Sequence, residues 1–149
     1  MYKDWCVRFS WKTAKVTHNH EEGIKGAKAI TLAIHYLNIG CSKDDVREEI
    51  ENLGYNLSRT VDDIRLTYKF DESCQGTVPE AFVCFLESNS FEDAIRNAIS
   101  IGGDSDTIAC IVGGFSEAYY GVPKELKKEV NNFIPVEFKN IIHEFYERL

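Results

Sequence analysis

Residues 102–107 read Gly-Gly-Asp-Ser-Asp-Thr, which sets two carboxylates directly after a pliable backbone and directly before an apolar run. Asp104, Asp106 and Thr107 offer hard oxygen donors, the type that suits Mg²⁺, Mn²⁺ or Ca²⁺ and not zinc. Positions i and i+2 of a helix do not face the same way. A shared ion therefore requires Asp104 to stand outside the helix that follows. Gly102 and Gly103 permit that sharp path, because glycine accepts positive φ. A calcium loop of the EF-hand kind is excluded. Counted from Asp104, the sixth position is Ala109 and the twelfth is Phe115, so the turn glycine and the bidentate glutamate are both missing. The same acids also suit a second role. Either carboxylate can accept from unpaired N–H groups at a helix start, worth about 1 kcal/mol. The positive end of the helix dipole attracts carboxylates and repels a cation. Spacing alone leaves the cap and the ligand set both open.

Helical periodicity dominates the elements that must position these acids. Ile24, Ala27, Ile30, Ile34 and Leu37 recur at three-to-four spacing up to a stop at Gly40. Ser42 with Asp45 reads as a capping box, and Val46, Ile50 and Leu53 form a stripe ending at Gly54. Thr77 with Glu80 repeats the pattern, with Pro79 in the first turn. Ser90 with Asp93 opens a helix that stops at Gly102-Gly103, and a long helix runs from Thr107 to Gly121. The tail predicts a helix around Leu126, Val130 and Phe133, a break at Pro135, and a last helix carrying Phe138, Ile141, Ile142, Phe145 and Leu149. No segment sustains a period of two, so the fold class is all-α, a compact multi-helix bundle in one domain over 1–149. Residues 55–76 are the longest stretch without clear periodicity, with one short helix near Thr60–Ile64, and such stretches are often functional.

The bulk properties exclude several classes. A formal charge of −7 argues against a nucleic-acid backbone as partner. The N-terminus has no uninterrupted apolar run, so neither a signal peptide nor a membrane span is expected there. Five widely spaced cysteines form no C-x-x-C, which predicts neither a zinc site nor a disulfide framework but a reducing, cytoplasmic compartment. Cys84 and Cys110 fall on apolar faces and read as small core residues. The acid pairs Asp44-Asp45 and Asp62-Asp63 stand at helix starts and read as caps and exposed charge. His18 and His20 flank Asn19 before a helix, where the residues alone suggest a polar loop capped by Asn19 or His20. Tyr68 and Phe70 either stack on a ligand or plug the loop. Gln75-Gly76 is either an anion cradle or a turn.

The segment GGDSDTIACIVGGFSEAYYGVP, residues 102–123, resembles the C-terminal signature of the ADP-ribosylglycohydrolase family, of the dinitrogenase-reductase-activating type. VTHNHEEGIKGAKAITLAI resembles the family's T-H-x-H segment, and SCQGTVPEAFVCFLESNSFEDAIRNAIS resembles the segment leading into the metal motif. The resemblance covers 15–149 and leaves 1–14 unmatched. It implies an all-α fold that uses two divalent metals, usually Mg²⁺ with Mn²⁺ possible, to hydrolyse ADP-ribose linkages. Asp104, Asp106 and Thr107 are the implied metal ligands, with Asp106 the bridge between ions. His18 and His20 are the implied ADP-ribose contacts, and Gly102, Gly103 and Ser105 line the phosphate or ribose side.

Full members of the family also carry an N-terminal half with a G-D-A-x-G-type segment and a T-D-D-T motif, which supplies the other metal ligands. Neither motif occurs in this sequence. The resemblance therefore implies the C-terminal half of a glycohydrolase, active if the other half completes it. The alternative is a truncated, non-catalytic module that binds ADP-ribose or metal, or that assembles with another chain. No catalytic acid or base can be named. Such a half-domain should expose apolar faces, covered by Trp5, Phe9 and Trp11 or by a second copy in a homodimer.

Overall fold

The computed structural model describes residues 2–148, and among them it contains nine α-helices and no strand. They are α1 Tyr2–Thr17, α2 Glu21–Asn38, α3 Lys43–Asn52, α4 Val61–Thr67, α5 Cys74–Leu86, α6 Phe91–Ser100, α7 Ser105–Tyr120, α8 Lys124–Asn131 and α9 Val136–Tyr146. The all-α expectation holds. Leu149, assigned above to the last helix, lies outside the described residues.

Helix α5 is the centre. It packs against α2, α4, α6 and α7, and residues on all its sides are buried, from Thr77 and Val78 through Phe85. Such a helix belongs in a core. Phe82 and Phe115 are both fully buried and stack with centroids 4.6 Å apart, and Phe85 tilts against Phe115 at 5.6 Å. Leu32, Ile50, Leu57, Ile64, Ile108 and Val112 are fully buried as well.

Local chemistry sets where most helices start. Ser42 accepts from the Asp45 N–H at 3.1 Å while Asp45 accepts from the Ser42 N–H at 2.8 Å, which is the expected capping box. Thr60 and Asp63 make the same reciprocal pair before α4. Ser90 accepts from the Asp93 N–H at 3.1 Å. The acid pairs 44–45 and 62–63 are thus first-turn charge, as read from sequence.

Helix α5 departs from the expected cap. Its N-cap is Ser73, whose hydroxyl accepts the Gly76 N–H at 3.1 Å, and the Asp71 carboxylate takes the Ser73 N–H at 2.7 Å. The start therefore precedes Thr77, and Pro79 stands inside the helix instead of in its first turn. Thr77 is buried and donates its hydroxyl to the Asp71 carbonyl at 2.8 Å. Glu80, also buried, pairs with Arg59 at 2.6 Å.

The other end of α5 is capped from a distance. The Lys43 ammonium donates to the carbonyls of Phe85 at 2.8 Å, Leu86 at 3.2 Å and Ser88 at 2.6 Å. It also lies over the rings of Phe85, Tyr119 and Tyr120. A cation at a helix C-terminus satisfies orphan carbonyls and the dipole together.

Two expectations are corrected. Cys110 is exposed on α7, unlike the buried Cys84, because the apolar stripe of α7 passes through Ile108, Val112 and Phe115. Trp5, Phe9 and Trp11 do not cover the domain's apolar faces: they sit on α1 with 61%, 53% and 38% of their surfaces exposed, and Trp5 stacks on Phe9. The apolar residues of α8 and α9 form stripes, yet neither helix buries a residue.

Replacing Lys43 by methionine removes a donor shared by three carbonyls, of which that of Phe85 keeps Ser88 and that of Ser88 keeps Tyr120, and should cost about 1 kcal/mol, read from urea unfolding. Asp45 and Asp63 are held below the ordinary carboxylate value of 3.8, Asp45 first by the Ser42 hydroxyl and Asp63 first by the Thr60 N–H. Their contribution is complete above 3.8 and is lost as pH falls through the lower folded values. A Ser42→Ala, Thr60→Ala double variant should be less stable at neutral pH and show a shallower loss of stability on acidification.

Candidate active site

The Gly102-Gly103 turn enters α7 with both residues in the left-handed region, at φ +72° and +62°. Gly103 is required twice over. A β-carbon there would stand 2.5 Å from Tyr68 Cε1 and 3.1 Å from the Lys69 carbonyl oxygen. The Tyr68 ring therefore presses on the backbone residue that precedes Asp104. Tyr68 is held in turn by the loop it belongs to. Arg59 bonds Thr67 at 2.7 Å and Glu80 at 2.6 Å, which pins the end of α4 to α5. Burial pushes the Glu80 carboxyl up, and Arg59 opposes that rise.

This entry settles which acid caps. Asp104 occupies the N-cap position of α7, but its side chain makes no cap hydrogen bond. The side chains at the N-caps of α2, α3, α4, α5 and α6 all do. Asp106 is the acid that serves the helix: its Oδ1 accepts the Thr107 N–H at 3.0 Å. The Asp106 carboxyl is held below its ordinary range, first by a hydrogen bond shared with Asp104 and then by that backbone donor. Two carboxylates in contact thus stand at the head of α7, one without any backbone commitment.

Asp104 and Thr107 open onto a cavity of about 710 Å³. Its walls come from the end of α1, with Ala14 and His18, and from the first turns of α2, with His20, Glu22 and Gly26. Glu72, Ser73, Cys74 and Gln75 close the α5 side. Residues at the N-termini of α2, α5 and α7 line it together, so the positive ends of three helix dipoles lie beside one volume.

His20 caps α2 with Nδ1, which accepts the Glu22 N–H at 3.3 Å. Acceptance at Nδ1 places the proton of the neutral ring on Nε2, so His20 retains a donor. His18 Nδ1 lies 3.0 Å from the Thr17 hydroxyl. Both histidines are exposed.

Of the residues singled out from sequence, His18, His20, Asp104 and Thr107 come together in this cavity. Gly102, Gly103, Ser105 and Asp106 form the turn and helix start beside it and are not among its walls. Tyr68 lies behind that turn. Burial raises its phenol first, and the charges of Asp71, Asp104 and Glu80 add to the rise. Phe70 is exposed at 64%. Among the described residues, no three His, Cys, Asp or Glu side chains cluster with metal-binding geometry.

The ADP-ribosylglycohydrolase family model matches residues 2–149. The chain belongs to the ADP-ribosylglycohydrolase family. An uncharacterized protein of Archaeoglobus fulgidus is 27% identical over 128 residues, covering 74% of this chain and 41% of that protein. The ADP-ribosylarginine hydrolase Tri1 of Pseudomonas putida is 28% identical over 120 residues, 73% of this chain and 31% of that one. The mouse ADP-ribosylhydrolase ARH3 is 35% identical over 71 residues, 38% of this chain and 19% of that one. The chain spans less than half the length of each of these relatives.

Sequence reasoning passed over Glu22, Glu72 and Cys74 as cavity residues. Glu22 reads as ordinary first-turn charge, and Glu72 and Cys74 flank a cap that was placed too late in the chain. The signal available was Ser73 itself, a favoured N-cap residue type. A second groove of about 790 Å³ lies between α6–α7 and α8–α9, with walls such as Ile95, Leu126 and Ile142. It holds none of the implied site residues.

Gly102→Ala should cost about 1 kcal/mol for its positive φ alone. Gly103→Ala adds a collision with Tyr68 and should cost roughly 2 kcal/mol more. Urea unfolding of the two variants checks the order.

Proposed function

We propose that the chain takes part in hydrolysing ADP-ribose linkages, with the 710 Å³ cavity receiving the ADP-ribosyl group. The observation that carries this reading is the meeting of His18, His20, Asp104 and Thr107 in a cavity faced by three helix N-termini. A diphosphate is the kind of ligand such N-termini favour. His20 Nε2–H is a further donor toward phosphate or ribose oxygens, and His18 stands beside it.

The acid pair fits a divalent cation in kind. Asp104 is left without a cap partner, and its carboxyl lies in contact with that of Asp106. Mg²⁺ keeps several waters and commonly takes only one or two carboxylates. Asp104, Asp106 and Thr107 would hold it, and Mn²⁺ suits the same donors. When bound, such an ion supplies Lewis acidity and orients the ribose. Cleavage at the anomeric carbon passes through an oxocarbenium-like state. The contribution of this chain is to bind and orient: helix N–H groups on phosphate, imidazole N–H on oxygen, and an apolar floor that includes Ile30, Val78 and Ile111.

The family match and the names of the hydrolase relatives support the substrate class. The remaining ligands and the general base come, on this reading, from polypeptide outside residues 1–149, either a second copy in a homodimer or a complementing chain. The exposed apolar stripes of α8 and α9 support such an assembly. A cytoplasmic location agrees with five free cysteines. A second reading, a module that binds ADP-ribose or metal without turnover, is favoured by one observation: the described residues do not assemble three metal-type ligands.

Mg²⁺ with ADP-ribose should raise the melting midpoint by mass action, and Asp106→Asn should abolish the rise. No shift at millimolar Mg²⁺ and ADP-ribose would sink both readings. Release of ADP-ribose from a modified arginine substrate, lost in Asp106→Asn, separates turnover from binding alone. Native mass tests the assembly.

A further inference from the structure

Two helices carry apolar stripes that the rest of the chain leaves open. On α1, Trp5, Phe9 and Val16 recur along one face, each with more than half of its surface exposed. On α9, Phe138, Ile141 and Phe145 do the same. Contiguous exposed stripes of this kind mark association surfaces, and exposed aromatic side chains are the usual anchors.

Each stripe has a charged row along one flank, and the two rows are opposite in sign. Arg8 and Lys15 run beside the α1 stripe, Lys12 stands within it, and all three are exposed. No Asp or Glu occurs from residue 5 to residue 20, so these cations are unopposed on their own helix. Glu137 and Glu144 run beside the α9 stripe and are exposed as well. Arg148 pairs with Glu144 at 3.7 Å, but both side chains are open to water and such a pair is weak. With about 3.6 residues per turn, both rows fall on the same rotational side of their stripes. Two such helices laid face to face and antiparallel bring the rows together. Charged edges of this kind choose the partner and the orientation of packed helices. Pairing α1 with a second α1 in the same way sets cations against cations, and pairing α9 with α9 sets acids against acids.

We propose that the chain forms a two-fold homodimer in which α1 of one copy lies antiparallel on α9 of the other, with the reciprocal contact completing it. The second copy fits because one chain carries both complementary faces. The pairing rests on the assembly required by the proposed function and selects a second copy over a complementing chain, yet it needs neither metal nor ADP-ribose to form. It also bears on the cavity. Helix α1 packs on α2 and brings Ala14 and His18 to the cavity wall, so the partner's α9 braces that wall from outside.

Sedimentation velocity of the full chain at micromolar concentration, without ligand, reads the assembly. Wild type should be dimeric and should dissociate as salt is raised, because the charged rows lie at the edge of the contact. The variant Arg8→Glu, Lys15→Glu reverses the α1 row, and Glu137→Lys, Glu144→Lys reverses the α9 row. Each alone should weaken dimerisation roughly tenfold, with the helical circular dichroism of wild type. An equimolar mixture of the two should recover wild-type affinity, since each reversed row then meets its opposite. A monomeric wild type overturns the pairing and leaves the ADP-ribose reading standing. A dimer indifferent to salt and to both reversals overturns it too, as does a mixture of the two folded variants that fails to recover. A monomer that binds phosphatidylserine–phosphatidylcholine vesicles, and loses that binding in the α1 variant, assigns the α1 face to a membrane and overturns the pairing likewise.

Discussion

The contact between the Tyr68 ring and Gly103 is the constraint on which the site depends. It forces a residue without a side chain, in the left-handed region, immediately before Asp104. That path brings Asp104 to the N-cap position with its carboxylate turned to no backbone N–H. Had the chain entered α7 as it enters α3 or α4, the Asp104 side chain would have accepted the Thr107 N–H, as Ser42 and Thr60 accept those of Asp45 and Asp63. The glycine turn thus converts a helix start that would satisfy itself into one that has a carboxylate to spare. The helix below is anchored independently, by Phe115 against Phe82 and Phe85.

The cavity inherits its shape from α5, which is fixed at both ends by side chains from other elements. Lys43, on α3, gathers the carbonyls at its C-terminus. Asp71 and Ser73, in the loop before it, define its N-terminus. With α5 held in place, α2 crosses close to its first turn: a β-carbon on Gly26 would lie 3.3 Å from Cys74. That approach is what lets the N-termini of α2 and α5 share a wall. The third N-terminus arrives with α7, which packs on both. Three positive helix ends in one volume follow from how α2, α5 and α7 cross, not from any local signal.

Legibility in the sequence divided along the same line. Features decided within a few residues were readable: the capping box at Ser42, the short helix near Thr60, the Ser90 cap, the glycine stops, and the all-α class. Ser73 was missed because Thr77-x-x-Glu80 offered an equally good local pattern, and the decision between them was tertiary. Burial drew Thr77 and Glu80 into the core, where Asp71 and Arg59 satisfy them. Cys110 misled for a similar reason, since one apolar neighbour on each side does not say which way a helix rotates. The aromatic residues of α1 gave a correct count of apolar surface and a wrong location for it. At the site, GGDSDT offered a cap and a ligand set together, and only the structure shows that Asp106 serves the helix start while Asp104 does not. The gathering of His18 and His20 against it is a long-range fact that spacing cannot hold.

Charge decides what this arrangement can accommodate. The chain carries a formal −7, and Glu22, Glu72 and Asp104 all border the cavity. An anionic ligand entering such a volume meets acids as well as helix ends. A helix N-terminus contributes about half a positive charge, and that falls off within the first turn. Three of them do not offset a diphosphate and the carboxylates together. His20, capping through Nδ1, is neutral in that role and adds a donor but no charge. On the proposed function, that deficit would be met most directly by a divalent cation on the uncommitted carboxylate, at the point where acid and ligand would otherwise repel. On that proposed function the carboxylates and the helix ends would not oppose each other: the acids would hold the cation, and the N-termini would take the part of the anion that the cation does not reach.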